Sequence, residues 1–175
     1  NDFLSQKSKM QKGDIFLTQF EQSSDTTFSA LKEAKELGMI TIFNPAPFGK
    51  INKKVYEFCE IITPNETEAE QITHISLKGK RDVKKAVNKI RDLGVERVII
   101  TLGKKGAAVF DGRKITFCPS YKFGKAIDTT GAGDCFNGAL ASALSFGKEL
   151  EKAVQLGCIA AGLSVLKRGT AQSSP

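Results

Sequence analysis

Short apolar runs rich in β-branched residues alternate along the chain with stretches in which apolar residues recur every three or four positions. The runs predict strands at 14–20, 39–43, 61–63 and 97–101. The periodic stretches predict four helices. The first is capped by Ser24 or Asp25 and ended by Gly38, and a short second one lies near 55–58. The third covers 66–73, and the fourth has an apolar stripe from Val83 to Leu93. Strands and helices alternating at this spacing are typical of βαβ units and a parallel sheet.

The second half of the chain predicts a hairpin followed by two helices. Runs at 107–110 and 114–117 flank Asp111-Gly112, which favours an antiparallel turn. One helix is predicted to open near Gly133, and the other to run from about Glu149 to Leu166. Together the elements predict one α/β domain over residues 1–175.

Ligands of parallel sheets bind beyond the carboxyl ends of the strands. The residues of interest are therefore those that directly follow the predicted strands. They are Asn44, Asn65, Gly103 and the loop before Asp134.

The composition fits an ordinary globular domain. The 175 residues are 41% hydrophobic and 26% charged. No apolar run approaches the length of roughly 20 residues that a membrane helix needs, so we expect no membrane association. The four cysteines are widely spaced and there is one histidine, His74, so a zinc site is not expected. Buried thiols in a reducing compartment, and hence a cytoplasmic location, are the expectation.

The net charge of +7 raises the question of nucleic-acid binding. Much of the excess lies between Lys78 and Arg91, on either side of the apolar stripe of a predicted helix, and no aromatic residues are interleaved there for base stacking. We interpret this stretch as a solvated helix face and expect no nucleic-acid partner. A mildly basic surface also suits a small polyanionic ligand.

The glycine-rich segment Gly131-Ala132-Gly133-Asp134 opens a predicted helix. Two glycines allow a tight turn that brings backbone N–H groups together, and the positive end of the helix adds to an anion site there. On these residues alone, a structural turn with an aspartate that compensates the helix dipole explains the pattern equally well. The chain has neither a G-x-x-x-x-G-K-[ST] loop nor a G-x-G-x-x-G after a strand.

The longer string Asp128-Thr129-Thr130-Gly131-Ala132-Gly133-Asp134 resembles the signature of the ribokinase family of sugar kinases. Further segments that resemble the family follow in the same order: Asn44-Pro45-Ala46-Pro47, Pro64 to Glu70, Thr101 to Gly106, and Arg168-Gly169-Thr170. The resemblance covers nearly the whole chain. It implies a three-layer, Rossmann-like parallel sheet with flanking helices.

The resemblance implies ATP-dependent phosphorylation of a sugar primary hydroxyl, with D-ribose as the expected sugar and D-ribose 5-phosphate as the product. Asp134 is then the general base, and the amides of Gly131, Ala132 and Gly133 form the anion hole. Glu21 matches a glutamate that contacts the sugar, although a surface carboxylate explains it equally well.

The remaining ATP and Mg²⁺ residues also come from the resemblance. Asn65 and Glu68 match a nucleotide-phosphate and magnesium-water site, whereas the residues alone favour a capping box at a helix start. The wall of the ATP site consists of Thr101, Leu102, Gly103, Lys104, Lys105 and Gly106. Cys158 is expected near the adenine and Gly133 near the phosphates.

A monovalent-cation site is implied as well. The residues that match the potassium ligands of the family are Asp128, Thr130, Ser164, Lys167, Gly169 and Ser173. Such an ion would set the shape of the anion hole.

The family resemblance also implies what the chain lacks. Family members carry an N-terminal half with a sugar-binding loop and a β-sheet lid, so we expect these 175 residues to be a fragment of a larger kinase, with little or no turnover alone. The full-length protein is expected to be a homodimer. Two alternatives stay open: a related kinase acting on fructose, a nucleoside or another alcohol, and a non-catalytic nucleotide-binding fragment.

Overall fold

The apolar runs pair into a single mixed sheet in the computed structural model, which describes residues 9–49, 52–170 and 174–175. The strands are β1 (Ile15–Thr18), β2 (Ile40–Phe43), β3 (Ile61–Ile62), β4 (Arg97–Thr101), β5 (Ala107–Phe110) and β6 (Ile115–Cys118). They lie in chain order across the sheet. The first four are parallel, and the hairpin β5–β6 adds two antiparallel strands beside β4. The predicted parallel sheet and its hairpin are therefore parts of one sheet.

Helices cover both faces of this sheet. They are α1 (Ser24–Glu36), α2 (Glu66–Thr73), α3 (Lys80–Arg91), α4 (Ala132–Ser145) and α5 (Leu150–Ser164), with a 3₁₀ helix at Lys53–Phe58. Alternate residues of β4 point to opposite faces: Val98 and Ile100 pack in the core with α1, α2 and α3, whereas Ile99 packs in a second core with α4 and α5. The three-layer α/β architecture is confirmed.

The start of α1 differs from the sequence prediction. Ser23 is the N-cap, because its Oγ accepts a hydrogen bond of 3.2 Å from the amide of Thr26 while its backbone stays non-helical. Ser24 is already the first helical residue, and Asp25 lies in the first turn. The prediction that Ser24 or Asp25 caps this helix was wrong by one or two positions.

The basic stretch forms the outer face of α3. Val83, Ala86, Val87 and Ile90 are buried against the sheet, and Lys84, Lys85 and Lys89 are exposed. The guanidinium of Arg91 lies 4.1 Å from the centroid of the Phe110 ring. These placements agree with the interpretation as a solvated helix face. Among the described residues, no helix combines the length and apolarity needed to span a bilayer.

Candidate functional site

The carboxyl ends of the four parallel strands meet at one edge of the sheet. Gln19 directly follows β1, Asn44 follows β2, and Asn65 follows β3 by way of Thr63 and Pro64. Asn65 forms a parallel bridge with Thr101 at the end of β4, and the amide of Thr101 donates to the carbonyl of Pro64 over 3.0 Å. The polar residues predicted from strand ends are therefore gathered on this carboxyl edge.

The N-terminus of α4 carries the glycine-rich turn. Gly131 is its N-cap, in a left-handed conformation with φ 74°, and a Cβ there would approach the Thr170 side chain at 3.3 Å. The first amides of a helix have no acceptor within the helix. In this turn the Ala132 amide reaches back to the Thr129 carbonyl over a long 3.3 Å. The turn therefore places helix-end N–H groups at the start of α4, and the predicted anion site depends on these groups.

Asp134 is an exposed residue in the first turn of α4 and reaches the carboxyl edge of the sheet. Its Oδ1 accepts a hydrogen bond of 2.7 Å from the Nε2 of Gln19. The same nitrogen lies 3.3 Å from the Oδ1 of Asn44, and the Nδ2 of Asn44 donates to the Thr63 carbonyl over 2.8 Å. Gln19 was not predicted as a site residue. The apolar pattern places Gln19 inside the predicted strand 14–20, whereas β1 ends at Thr18, so a correctly placed strand end is the signal that could have identified it.

Asn65 and Glu68 form a complete capping box at the start of α2. The Glu68 amide donates to Asn65 Oδ1 and the Asn65 amide donates to Glu68 Oε2, each over 2.9 Å. Glu68 is only 6% exposed. Burial raises the pKa of its carboxyl, and the hydrogen bonds from Asn65 oppose that rise. The structural interpretation of N-x-x-E is therefore confirmed, and a single buried carboxylate at this edge also fits Mg²⁺, which keeps most of its waters.

A prediction follows for Glu68. Glu68→Gln keeps an oxygen for the Asn65 amide and removes the charge, whereas Glu68→Ala removes both. Because a raised pKa makes the ionised carboxyl costly in the folded state, the wild type loses stability relative to Glu68→Gln as the pH rises through that pKa. At neutral pH we expect Glu68→Ala to lower the free energy of unfolding by about 1 kcal/mol and Glu68→Gln not to lower it. Urea unfolding measures both values.

A magnesium titration of activity separates the two roles of Glu68. If the carboxylate orients magnesium-bound water, Glu68→Gln raises the Mg²⁺ concentration for half-maximal rate although its fold is unimpaired. Equal destabilisation of both variants at every pH would contradict the capping account.

The segment from Thr101 to Gly106 is a tight turn at the same edge. A 3₁₀ turn over Gly103–Lys105 joins β4 to β5, and the Leu102 amide donates to the Gly106 carbonyl over 2.7 Å. Gly106 has φ 93°, and a Cβ there would lie 2.0 Å from the carbonyl oxygen of Cys118. The Lys104 carbonyl accepts from Ser120 Oγ over 2.6 Å, which ties the turn to the segment that follows β6.

The lysine side chains of this turn are exposed. Lys105 pairs with Glu66 of α2 over 3.0 Å, and both groups are solvent-accessible. An exposed pair of this kind contributes little to stability. The ammonium of Lys105 therefore bridges the turn and the start of α2 without being committed to a buried partner.

Cys158 lies in α5 behind this turn. It is buried in the same core as Cys118, which ends β6, and both thiols are free. Burial, followed by the neighbouring Cys118, raises the pKa of Cys158 to about 12, so the thiol is protonated and unreactive at neutral pH. The residue expected near the adenine thus packs against the strand whose carbonyl contacts Gly106.

Two loops converge beside α4 and contain most of the predicted cation ligands. Asp128 accepts hydrogen bonds from the Thr130 amide over 2.9 Å and from the Gly169 amide over 3.2 Å. The Thr130 bonds, then the Gly169 amide, lower the pKa of Asp128, so it is ionised at neutral pH. The Lys167 amide contacts the Ser164 carbonyl over 3.4 Å, and the Ser164 hydroxyl donates to Ala161. Ser173 lies outside the described residues.

Glu21 and Asn137 are two further polar residues near Asp134. Glu21 is exposed two residues after Gln19, at the edge that holds Asp134. Asn137 is buried one turn after Asp134. Within the described part of the chain, its Oδ1 and the Oγ1 of Thr63 are the buried side-chain atoms that have no hydrogen-bond partner. Ordered water is the usual partner of such atoms.

The fold and site together define a class of protein. A three-layer α/β fold, with helix-end amides and a carboxylate at the carboxyl edge of its sheet, is the arrangement of an α/β protein that binds an anionic ligand there. The chain belongs to the family described as "pfkB family carbohydrate kinase", whose model matches residues 4–175. The family expectation drawn from the motifs is thereby confirmed.

Individual relatives agree with this assignment. The chain is similar to the ribokinase of Haemophilus influenzae, with 36% identity over 97% of this chain and 55% of the relative. Among solved structures, it resembles the ribokinase of Thermotoga maritima, with a TM-score of 0.86 and 39% identity over 100% of this chain and 56% of that one. It also resembles the Arabidopsis thaliana ribokinase complexed with ribose and ATP, with a TM-score of 0.88 and 32% identity over 92% of this chain and 52% of that one. The chain thus spans about half the length of these relatives.

Proposed function

We propose that the protein catalyses the ATP-dependent phosphorylation of the primary hydroxyl of D-ribose, giving D-ribose 5-phosphate. The observation that carries the proposal is the Asp134 carboxylate, held at the carboxyl edge by Gln19 in the first turn of a glycine-capped helix. A base and a set of anion-binding amides are the two elements that phosphoryl transfer to an alcohol requires from a protein.

Asp134 accepts the proton of the sugar hydroxyl as its oxygen attacks the γ-phosphate. The amides of Gly131, Ala132 and Gly133, together with the positive end of α4, stabilise the charge that develops on the transferred group. The long 3.3 Å contact of the Ala132 amide with Thr129 supports this role, because such an amide can exchange its acceptor at small cost.

The nucleotide side of the reaction lies along the same edge. Asn65 would contact the phosphates, and Glu68 would hold Mg²⁺ through water; the metal would supply positive charge that neutralises the phosphates. The turn from Thr101 to Gly106 forms the wall for phosphates and ribose of ATP. Cys158 supports this wall from behind, since it packs in the same core as Cys118, whose carbonyl faces Gly106.

A K⁺ site between the two convergent loops would set the geometry of the anion hole. Asp128, ionised and held by both loops, supplies the negative charge. The remaining oxygen ligands of the ion would come from the Thr130 carbonyl and from Ser164, Lys167, Gly169 and Ser173. The arrangement fits a cation, because an ionised carboxylate and loop carbonyls are hard oxygen donors.

Ribose is the favoured sugar because the relatives named above are ribokinases. Glu21, exposed at the edge, would contact its hydroxyls. We further propose that this chain is the ATP-binding and catalytic part of a longer, cytoplasmic, homodimeric kinase. A related kinase for fructose, a nucleoside or another alcohol is the alternative, because the chain spans about half the length of its relatives.

A substrate and cation panel tests this proposal in the protein that carries the chain. We expect kcat/KM for ribose to exceed that for fructose and adenosine, and activity to be higher in K⁺ than in a non-binding cation such as tetramethylammonium. Preference for another alcohol would overturn the ribose assignment and leave the family unchanged. Identical activity in both cations would overturn the K⁺ site.

A further inference from the structure

A chain of side-chain amides leads from the centre of the sheet to Asp134. It begins at the Thr63 carbonyl, which accepts from Asn44 Nδ2 over 2.8 Å, and continues from Asn44 Oδ1 to Gln19 Nε2 at 3.3 Å. It ends with the 2.7 Å bond from Gln19 Nε2 to Asp134 Oδ1. This last bond joins two residues that are 115 positions apart in the sequence.

The direction of each bond in this chain is fixed by its first member. The Thr63 carbonyl can only accept, so Asn44 must present its NH₂ group there and its oxygen towards Gln19. Gln19 must then direct its own NH₂ group to both Asn44 and Asp134. Asn44 is only 7% exposed, so water does not compete freely for this arrangement.

The backbone around Gln19 is held as firmly as its side chain. The next residue, Phe20, donates its amide to the Ala46 carbonyl over 2.8 Å and packs its ring edge-on against Phe43 at 4.9 Å between centroids. The Asn44 amide donates to the Thr18 carbonyl over 2.9 Å. Gln19 is therefore a fixed donor at the end of a strand, whereas Asp134 is an exposed side chain in the first turn of a helix.

We propose that Gln19 is a positioning residue for Asp134. Its amide holds Oδ1 of the carboxylate and so leaves Oδ2 to receive the proton of the sugar hydroxyl. This inference rests on the proposed role of Asp134 as the base. Holding a reacting group in one orientation lowers the barrier by removing its rotational entropy in advance, and a misplacement of about 1 Å costs roughly 100-fold in rate.

Gln19→Leu tests the proposal in the protein that carries this chain, because leucine has a similar volume and no donor. We expect kcat to fall roughly 10- to 100-fold, with the KM for ATP changed by less than about threefold. The matched control is Gln22→Leu, the same substitution at an exposed glutamine three residues further along, which is expected to keep wild-type kcat. Should Gln19→Leu fail to fold, Gln19→Glu keeps the shape of the side chain, replaces the donor with a second carboxylate, and is expected to lower kcat at least as much.

A double-mutant cycle with Asp134→Asn separates positioning from a general structural role. If Gln19 acts through the base, adding Gln19→Leu to Asp134→Asn lowers the residual rate by less than about twofold. An equal further loss in both backgrounds would overturn the proposal, and so would wild-type kcat in Gln19→Leu and Gln19→Glu. If Asp134→Asn alone kept wild-type turnover, the proposed function itself would fail, which is a distinct outcome.

Discussion

Asp134→Asn is expected to lower kcat for sugar phosphorylation by about 10²- to 10⁴-fold while leaving the affinity for ATP within roughly threefold. An asparagine has the size of the aspartate and keeps an oxygen for the 2.7 Å bond from Gln19, so the geometry of the edge is retained. What it lacks is the ability to take a proton from the attacking hydroxyl. The measurements are steady-state kinetics with ribose and calorimetric titration of ATP.

Asp25→Asn is the matched control for this prediction. Asp25 is also an exposed aspartate in the first turn of a helix, but α1 is a different helix from the one that carries the glycine-rich turn. Both substitutions remove a charge that the helix dipole favours, so both are expected to lower the free energy of unfolding by up to about 1 kcal/mol. Only Asp134→Asn is expected to reduce turnover. An equal, small effect of both substitutions would favour the non-catalytic nucleotide-binding alternative.

Gly106→Ala is expected to destabilise the fold by about 3–5 kcal/mol. Two effects add at this residue. Its φ of 93° disfavours a side chain, and a Cβ would meet the Cys118 oxygen at 2.0 Å and the Pro119 carbonyl carbon at 2.6 Å. These are backbone atoms of the adjoining segment, so the clash is relieved only by moving the turn or β6. Urea unfolding of the variant measures the loss.

Gly112→Ala isolates the clash from the conformational strain. Gly112 has a similar φ of 98°, but nothing lies within 4 Å of a Cβ built there. The free energy of unfolding of this control is expected to fall by only about 1–2 kcal/mol, which is the cost of a side chain in the left-handed region. Equal losses at the two positions would contradict the close packing of the turn on β6. If Gly106→Ala fails to fold while Gly112→Ala folds, the result would agree with this close packing.

Features encoded by neighbouring residues could be predicted from the sequence. The strand Arg97–Thr101 and the helix Glu66–Thr73 have the bounds that their apolar patterns predict, and the capping box at Asn65 and Glu68 is present. Each depends on residues within one turn or one strand. The cap of α1 was misassigned because Ser23 and Ser24 are adjacent and either hydroxyl suits the role, so the choice depends on where the helix backbone begins.

Contacts between distant segments could not be predicted in the same way. The bond between Gln19 and Asp134 depends on how α4 docks on the sheet, and no local pattern carries that information. Asp128 illustrates an intermediate case: its motif indicated a site, but its bond to the Gly169 amide required the folded loops. The sequence therefore predicted the elements of the proposed site, whereas the structure showed the bond from Gln19 to Asp134.

The central claim is that this chain carries the base of a sugar kinase, and ³¹P NMR of the reaction products tests it most directly. The protein that carries the chain, supplied with ribose, ATP, Mg²⁺ and K⁺, is predicted to form ADP and a ribose phosphomonoester in equal amounts, and Asp25→Asn is predicted to do the same. Asp134→Asn is predicted to form the ester at least about 100-fold more slowly. Equal rates of ester formation in all three proteins, or release of inorganic phosphate without any sugar ester, would contradict the account.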